Sequence, residues 1–152
     1  MIARALARLG LKTREQQAWG WYDWANSTYF TTVITAVFPS FFATYAAAGL
    51  EPAEATGRYA LLTTLSIATV AVTSPVLGAL ADLSGIRKKL LAVFLSVGAA
   101  TCAAMAFIGH GDIVLASTLF FIGNICVSAS LVFYDSLLPH VAKPEDTDRV
   151  SA

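Results

Sequence analysis

This sequence is short of charge. Asp, Glu, Lys and Arg make up 13% of its residues, about half the share usual in soluble domains, while 57% are hydrophobic and the mean hydropathy is +0.66. So apolar a composition excludes an ordinary soluble domain and points to a membrane protein with the lipid bilayer as partner. Net charge is +0, and no helix-length run of basic residues is interleaved with aromatics, so no nucleic-acid partner is expected. Cysteine is down to two, Cys102 and Cys126, both inside apolar runs and far apart. That spacing is neither a redox CxxC nor a metal-ligand set, and both read as packing residues. Histidine is equally sparse: His110 and His140 fall on opposite sides of the expected membrane segment, which argues against the clustered His, Cys or acids of an integral-membrane enzyme. No catalytic residue, cofactor or metal is expected. The first twenty residues carry Arg4, Arg8, Lys12 and Arg14 but lack an apolar core followed by a small-residue cleavage site, so no cleavable signal peptide is expected.

What is present are long apolar runs. A helix needs about twenty mostly apolar residues to cross the hydrocarbon core, and four segments qualify, at about 22–47, 59–81, 90–108 and 113–138. They lack the alternation of barrel strands, and backbone in lipid must satisfy its own hydrogen bonds, so all four are expected to be helices. The fold class is therefore all-α, a four-helix membrane region at 21–138 between a basic tail at 1–20 and a second tail at 139–152. Short loops rich in Lys and Arg stay in the cytosol. Nine of the ten basic residues, Arg58 being the exception, fall on one side if both termini are cytosolic and the turn at Gly109–Asp112 is outside. Pro39 and Pro75 stand late in the first and second spans as tolerated kinks or hinges, and Pro139 marks the end of the fourth helix.

The polar residues inside the spans are few enough to place on a helical wheel. At 100° per residue, Ser117, Asn124, Ser128 and Asp135 project within roughly 20° of a common direction on the fourth helix, and polar groups without water face protein or a wet cavity. On the first helix Asp23, Asn26 and Ser27 share a face roughly 100° wide. Trp21 and Trp24 lie opposite and, with Tyr22, suit the headgroup level. Each stripe also has a plainer reading. Ser and Thr bond back to their own helix, Asn124 bonds a neighbouring helix, and Asp23 anchors or caps a helix start. The third span is almost free of polar groups and is expected at the lipid boundary. The second carries Ser74, Gly78 and Asp82 four residues apart, a spacing for close helix approach.

The loop "GALADLSGIRKKLL", Gly78 to Leu91, resembles the signature between the second and third helices of the major facilitator superfamily. Gly78, Leu80, Ala81, Asp82, Gly85 and the basic group Arg87, Lys88 and Lys89 match. Leu83 stands where a basic residue is usual, and Ile86 interrupts the basic run. The blocks "WYDWANSTYFTTVITAVFPSFF" and "FYDSLLPHVAKPEDTDRVS" resemble the first helix and the end of the fourth in the bacterial branch related to the vacuolar amino-acid effluxers. The resemblance covers essentially the whole chain. It implies twelve helices in two halves with alternating access, of which this chain would be the N-terminal third, cut before a fifth helix, with the missing C-terminal helices as its partner.

The same resemblance implies transport of a small-molecule substrate, an amino acid being one candidate, in the efflux direction across the cytoplasmic membrane. Asp23, Asn26, Ser27, Asn124, Ser128 and Asp135 would bind substrate or gate the cytosolic mouth. Gly78, Asp82, Gly85, Arg87, Lys88 and Lys89 would form the conformational loop, with Asp82 holding the gate and Gly85 making the turn. A four-helix protein that assembles with copies of itself, as a small exporter or a scaffold, is the competing expectation.

Overall fold

The computed structural model describes Leu11 and residues 13–141. Arg4, Arg8, Lys12, Lys143 and Arg149 lie outside the described residues, as do the side chains of Ala81, Leu83, Ser84 and His140. The described chain folds into four helical rods, each long and apolar enough to cross a membrane: α1, Arg14–Ala46; α2, Pro52–Ser84; α3, Arg87–Ala104; and α4, Ile113–Val141. No strand occurs among the described residues.

The rods begin and end where local chemistry dictates. α1 starts at Arg14, about two turns before Tyr22, because "TREQ" is a capping box. The Gln16 amide donates to Thr13 Oγ1 at 3.2 Å and the Thr13 amide to Gln16 Oε1 at 3.3 Å, so two otherwise orphaned donors are satisfied reciprocally. Pro52 occupies the first turn of α2 behind Glu51, where a missing N–H costs nothing. α2 ends on Gly85 at φ 60°, a left-handed cap that favours glycine. α3 runs on into a 3-10 turn, Met105–Phe107. Asp112 then starts α4, its Oδ1 accepting from the Leu115 amide at 3.2 Å.

The prolines behave differently from one another. α2 passes through Pro75 as one helix. Pro139 closes the membrane-length part of α4 and is itself helical, with the described helix running on to Val141. A proline that close to the end removes a single backbone bond, to the carbonyl four residues back, and the turns on either side keep theirs.

Pro39 has the largest effect. Residues Tyr29–Val37 and Phe42–Ala46 adopt the wide π-helical geometry, with the short α-helical piece Phe38–Phe41 between them. In the wide register each carbonyl pairs with the amide five residues on, as Val33 does with Phe38. The next carbonyl, Ile34, would meet the N–H that Pro39 lacks. The Tyr59 hydroxyl of α2 donates to the Ile34 carbonyl instead. Tyr59→Phe leaves that carbonyl without its donor and is expected to cost about 1–2 kcal/mol, read as a lower unfolding midpoint in detergent. An unchanged midpoint would show that the carbonyl finds another donor.

α4 is the central rod. In its most apolar stretch 44% of residues are buried, against 17% for α1 and 11% each for α2 and α3. α3 is largely exposed, as the sequence leads one to expect, but α2 is equally so. At one end Phe38, Phe42, Ala46, Ala55, Ile108, Ala116 and Phe120 form an apolar cluster. At the other, where the 82–89 loop lies, Trp19 and Tyr134 pack with Leu11, Tyr22, Leu91 and Leu137. α1 is thus held at its two ends. Between Trp19 and Phe38 none of its residues is buried.

Candidate functional site

The polar side chains converge on α4 from three directions. The first is an aromatic clasp between the start of α1 and the end of α4. Trp19 stacks on Tyr134 with centroids 3.6 Å apart, and Tyr22 stacks on Tyr134 at 4.5 Å. The Tyr134 hydroxyl donates to the Trp19 carbonyl at 3.3 Å, Gln16 Nε2 donates to the Val141 carbonyl at 3.4 Å, and the hydroxyls of Tyr22 and Ser130 share a hydrogen bond of 2.5 Å. The capping box makes this possible by extending α1 far enough to bring Gln16 and Trp19 alongside α4. Asp23 and Asp135 stand exposed beside the clasp, each next in sequence to one of its tyrosines, Tyr22 and Tyr134.

The second direction is α2. Asn124, buried at 1% exposure, donates from Nδ2 to Ser66 Oγ at 2.5 Å, and Ser66 is equally buried. Ser66 in turn donates to the Thr63 carbonyl at 2.8 Å. Asn124 Oδ1 is buried with no hydrogen-bond partner among the described residues. Of the stripe expected on α4, Asn124 therefore faces α2, Ser117 and Ser128 are half-buried, and Asp135 is exposed. The trio on α1 also divides: Asn26 turns toward α3 and lines a cavity with Leu95, Gly98 and Ala99, whereas Asp23 and Ser27 are exposed.

The third direction is the loop. Arg87 Nη2 donates to Asp82 Oδ1 at 2.5 Å and Arg87 Nη1 to the Ser136 carbonyl at 3.4 Å. One guanidinium thereby ties the end of α2 to the last turns of α4, where a cation also meets the negative end of the helix dipole. Lys88 lines the cavity beside the aromatic clasp, and Lys89 is exposed. A Cβ on Gly78 would meet nothing within 4 Å, so the close approach that Gly78 permits is not used among the described residues.

Sequence reasoning missed a second stripe of α4. Gly123, Val127, Ser130 and Tyr134 follow one another at helical spacing and face α1 and α3. A Cβ at Gly123 would come within 3.2 Å of the Tyr29 hydroxyl. Across the same seam a Cβ at Gly98 would lie 3.4 Å from both Cys126 and Val127. The available signal was a row of uncharged residues, Gly, Val and Ser, ending in an aromatic at helical spacing, which carries no charge and so draws no attention. Tyr22 was read as a headgroup anchor with Trp21 and Trp24. The structure keeps the two tryptophans exposed at 49% and 65% and turns Tyr22 inward to the clasp.

Comparison with known proteins identifies the family. The family model described as Vacuole effluxer Atg22 like matches residues 52–151, from the start of α2 through the loop and α4. The chain belongs to this family. Over 141 residues, 92% of its length, the chain is 36% identical to YxiO of Bacillus subtilis (strain 168), described as an uncharacterized MFS-type transporter. The match spans 33% of that relative, so the chain corresponds to about a third of the longer protein. No solved structure matches it. The match to a major facilitator relative agrees with the resemblance carried by the loop at Gly78–Leu91, and the four helices make this a multi-pass membrane chain.

Proposed function

We propose that the chain supplies the first four helices of a secondary transporter that moves a small solute across the cytoplasmic membrane by alternating access. Efflux is the direction to test first, because the matched family is described as effluxer-like, and amino acids are the first substrates to test because the sequence resembles the vacuolar amino-acid effluxers. Both ends of this segment lie in the cytosol, and the 82–89 loop with them, since the basic residues gather there. Asp23 and Asp135 are the gating acids of the cytosolic mouth, and Asn26, Ser27 and Ser128 are the polar groups nearest the path. Asn124 holds the α2–α4 seam that keeps this path in register.

The observation that carries the reading is the bridge from Asp82 through Arg87 to the Ser136 carbonyl. It joins the loop to the helix that bears Asp135, so a change at the loop reaches the mouth through one side chain. Asp82 is two-thirds exposed at 67% and has room to contact a further element when the mouth closes.

In the full transporter that carries this chain, Asp82→Asn is expected to shift the resting population toward the cytosol-open form. A thiol probe should then label a cysteine placed at Ser27 about threefold faster or more. Equal labelling rates in the variant and the parent would remove Asp82 from the gate. Loss of labelling differences at every mouth position, with and without candidate substrates, would remove alternating access itself.

A further inference from the structure

The amide of Asn124 is set in one orientation by a residue of α2. A serine hydroxyl has one proton, and that of Ser66 goes to the Thr63 carbonyl at 2.8 Å. Ser66 can then only accept from Asn124, so Nδ2 meets it at 2.5 Å and Oδ1 takes the other side of the amide. That oxygen is a fixed acceptor. Among the described residues it has no donor, and it is sealed from water.

A buried acceptor without a donor is costly, whereas an apolar side chain of similar shape is not. In this conformation Asn124 therefore weakens the seam between α2 and α4 relative to a leucine. The seam is also built to part. Among the described residues of α2 only Ala55, Ser66 and Val70 are buried, and apolar helix faces that separate in lipid expose nothing to water. Pro75 removes the backbone bond to the Ala71 carbonyl, which accepts from Ser74 Oγ at 3.1 Å instead, so α2 has a weak point just beyond Val70. On the loop side of that point Arg87 ties the chain to α4. On the other side the tie is Ser66 to Asn124.

We infer that Asn124 Oδ1 is a solute-binding acceptor held in reserve, and that Ser66 is its positioning residue. When the part of α2 before Pro75 leans away from α4, the oxygen meets an N–H or O–H group of the solute. The site selects for donors. An ammonium, amide or hydroxyl group pairs with it, and a carboxylate, which only accepts, does not. The inference rests on the reading of this chain as part of an alternating-access transporter. Water carries the same donor chemistry, and the test separates the two.

The test uses the full transporter in native membranes, with Cys102 and Cys126 replaced by serine. Val70→Cys places a thiol in the seam, at a buried position one turn from Ser66. Ala129→Cys is the control, also buried but one turn from Phe133, which packs on Phe94 of α3. A small hydrophilic thiol reagent is expected to label Val70→Cys about tenfold faster than the control, because only the seam populates an open state. A mixture of the twenty common amino acids should slow that labelling about threefold by occupying the site. Asn124→Leu and Ser66→Ala should each keep the labelling and lose the protection, a split that a purely structural role would not produce. Asn124→Ala gives the same readout where Asn124→Leu does not fold.

Equal labelling of Val70→Cys and the control would overturn the inference, because the seam then stays shut. Labelling without protection, or protection that survives Asn124→Leu, would overturn it in favour of water as the donor. A shut seam alongside labelling differences at the mouth positions would sink this inference and leave the transport reading standing. Protection at Val70→Cys with no labelling differences at the mouth would do the reverse.

Discussion

Phe120→Ala is expected to destabilise the bundle by about 2–3 kcal/mol, a large fraction of the stability of a small domain. Phe120 is fully buried on α4, stacked on Phe38 at 4.5 Å and 5.2 Å from Tyr59, so it is the point where α1, α2 and α4 meet. In a water-soluble core the same change costs about 3–5 kcal/mol, which includes the return of apolar surface to water. In a bilayer the lipid tails are as apolar as the core, and the transfer part largely vanishes. The cavity and the lost dispersion contacts remain, which sets the lower range. Unfolding of the purified chain by a denaturing detergent in mixed micelles reads the effect as a shift in midpoint. Phe107→Ala is the control, since Phe107 is 82% exposed and should move the midpoint by no more than about 0.5 kcal/mol. Equal shifts for the two would mean that the aromatic cluster does not hold the bundle together.

The number and type of the helices were legible because lipid leaves a chain few choices. The apolar runs and the turn glycines at 49, 85 and 111, all with positive φ, mark the rods and the breaks between them. Their ends were less visible, since a capping box such as Thr13 to Gln16 lies in a polar segment that hydropathy assigns to a tail. The π-helical stretches were not legible at all. They depend on Pro39 together with a hydroxyl that Tyr59 brings from another helix, and no local pattern announces that pairing.

The site was legible in part for a related reason. A helical wheel reports which residues of one helix share a face, and it says nothing of what that face meets. Asn124 stands out in the sequence as a polar residue inside a span and is buried in the structure, but its partner Ser66 sits 58 residues away in sequence and belongs to a helix read mainly through its glycine and aspartate. The aromatic clasp escaped because tryptophan and tyrosine near a helix start ordinarily serve the headgroup level, and the longer α1 gave Trp19 and Tyr22 a different neighbour. The loop was read best, since the turn at Gly85 and the proximity of Asp82 to Arg87 follow from a few residues of local sequence.

The loop also supplies the second large effect. Arg87→Gln is expected to cost about 2 kcal/mol, whereas Asp82→Asn in the same four-helix chain should cost less than about 1 kcal/mol. The difference follows from exposure: the Arg87 side chain is 23% exposed and Asp82 is 67% exposed, so water screens the pair from the aspartate side. Arg87 loses more because it also gives up the charge-assisted bond to the Ser136 carbonyl at 3.4 Å, which secures the end of α4. Arg87→Lys keeps the charge but not the planar fork that reaches two acceptors at once, and should fall between the two. Unfolding midpoints give the three costs, and faster hydrogen exchange at 136–141 in the Arg87 variants alone would locate the loss in the last turn of α4. Equal costs for Arg87→Gln and Asp82→Asn would mean that the carbonyl bond contributes nothing. The small cost expected for Asp82→Asn in the isolated chain sets the baseline for its effect in the full transporter. A conformational shift there larger than this baseline must come from a partner of Asp82 outside these four helices.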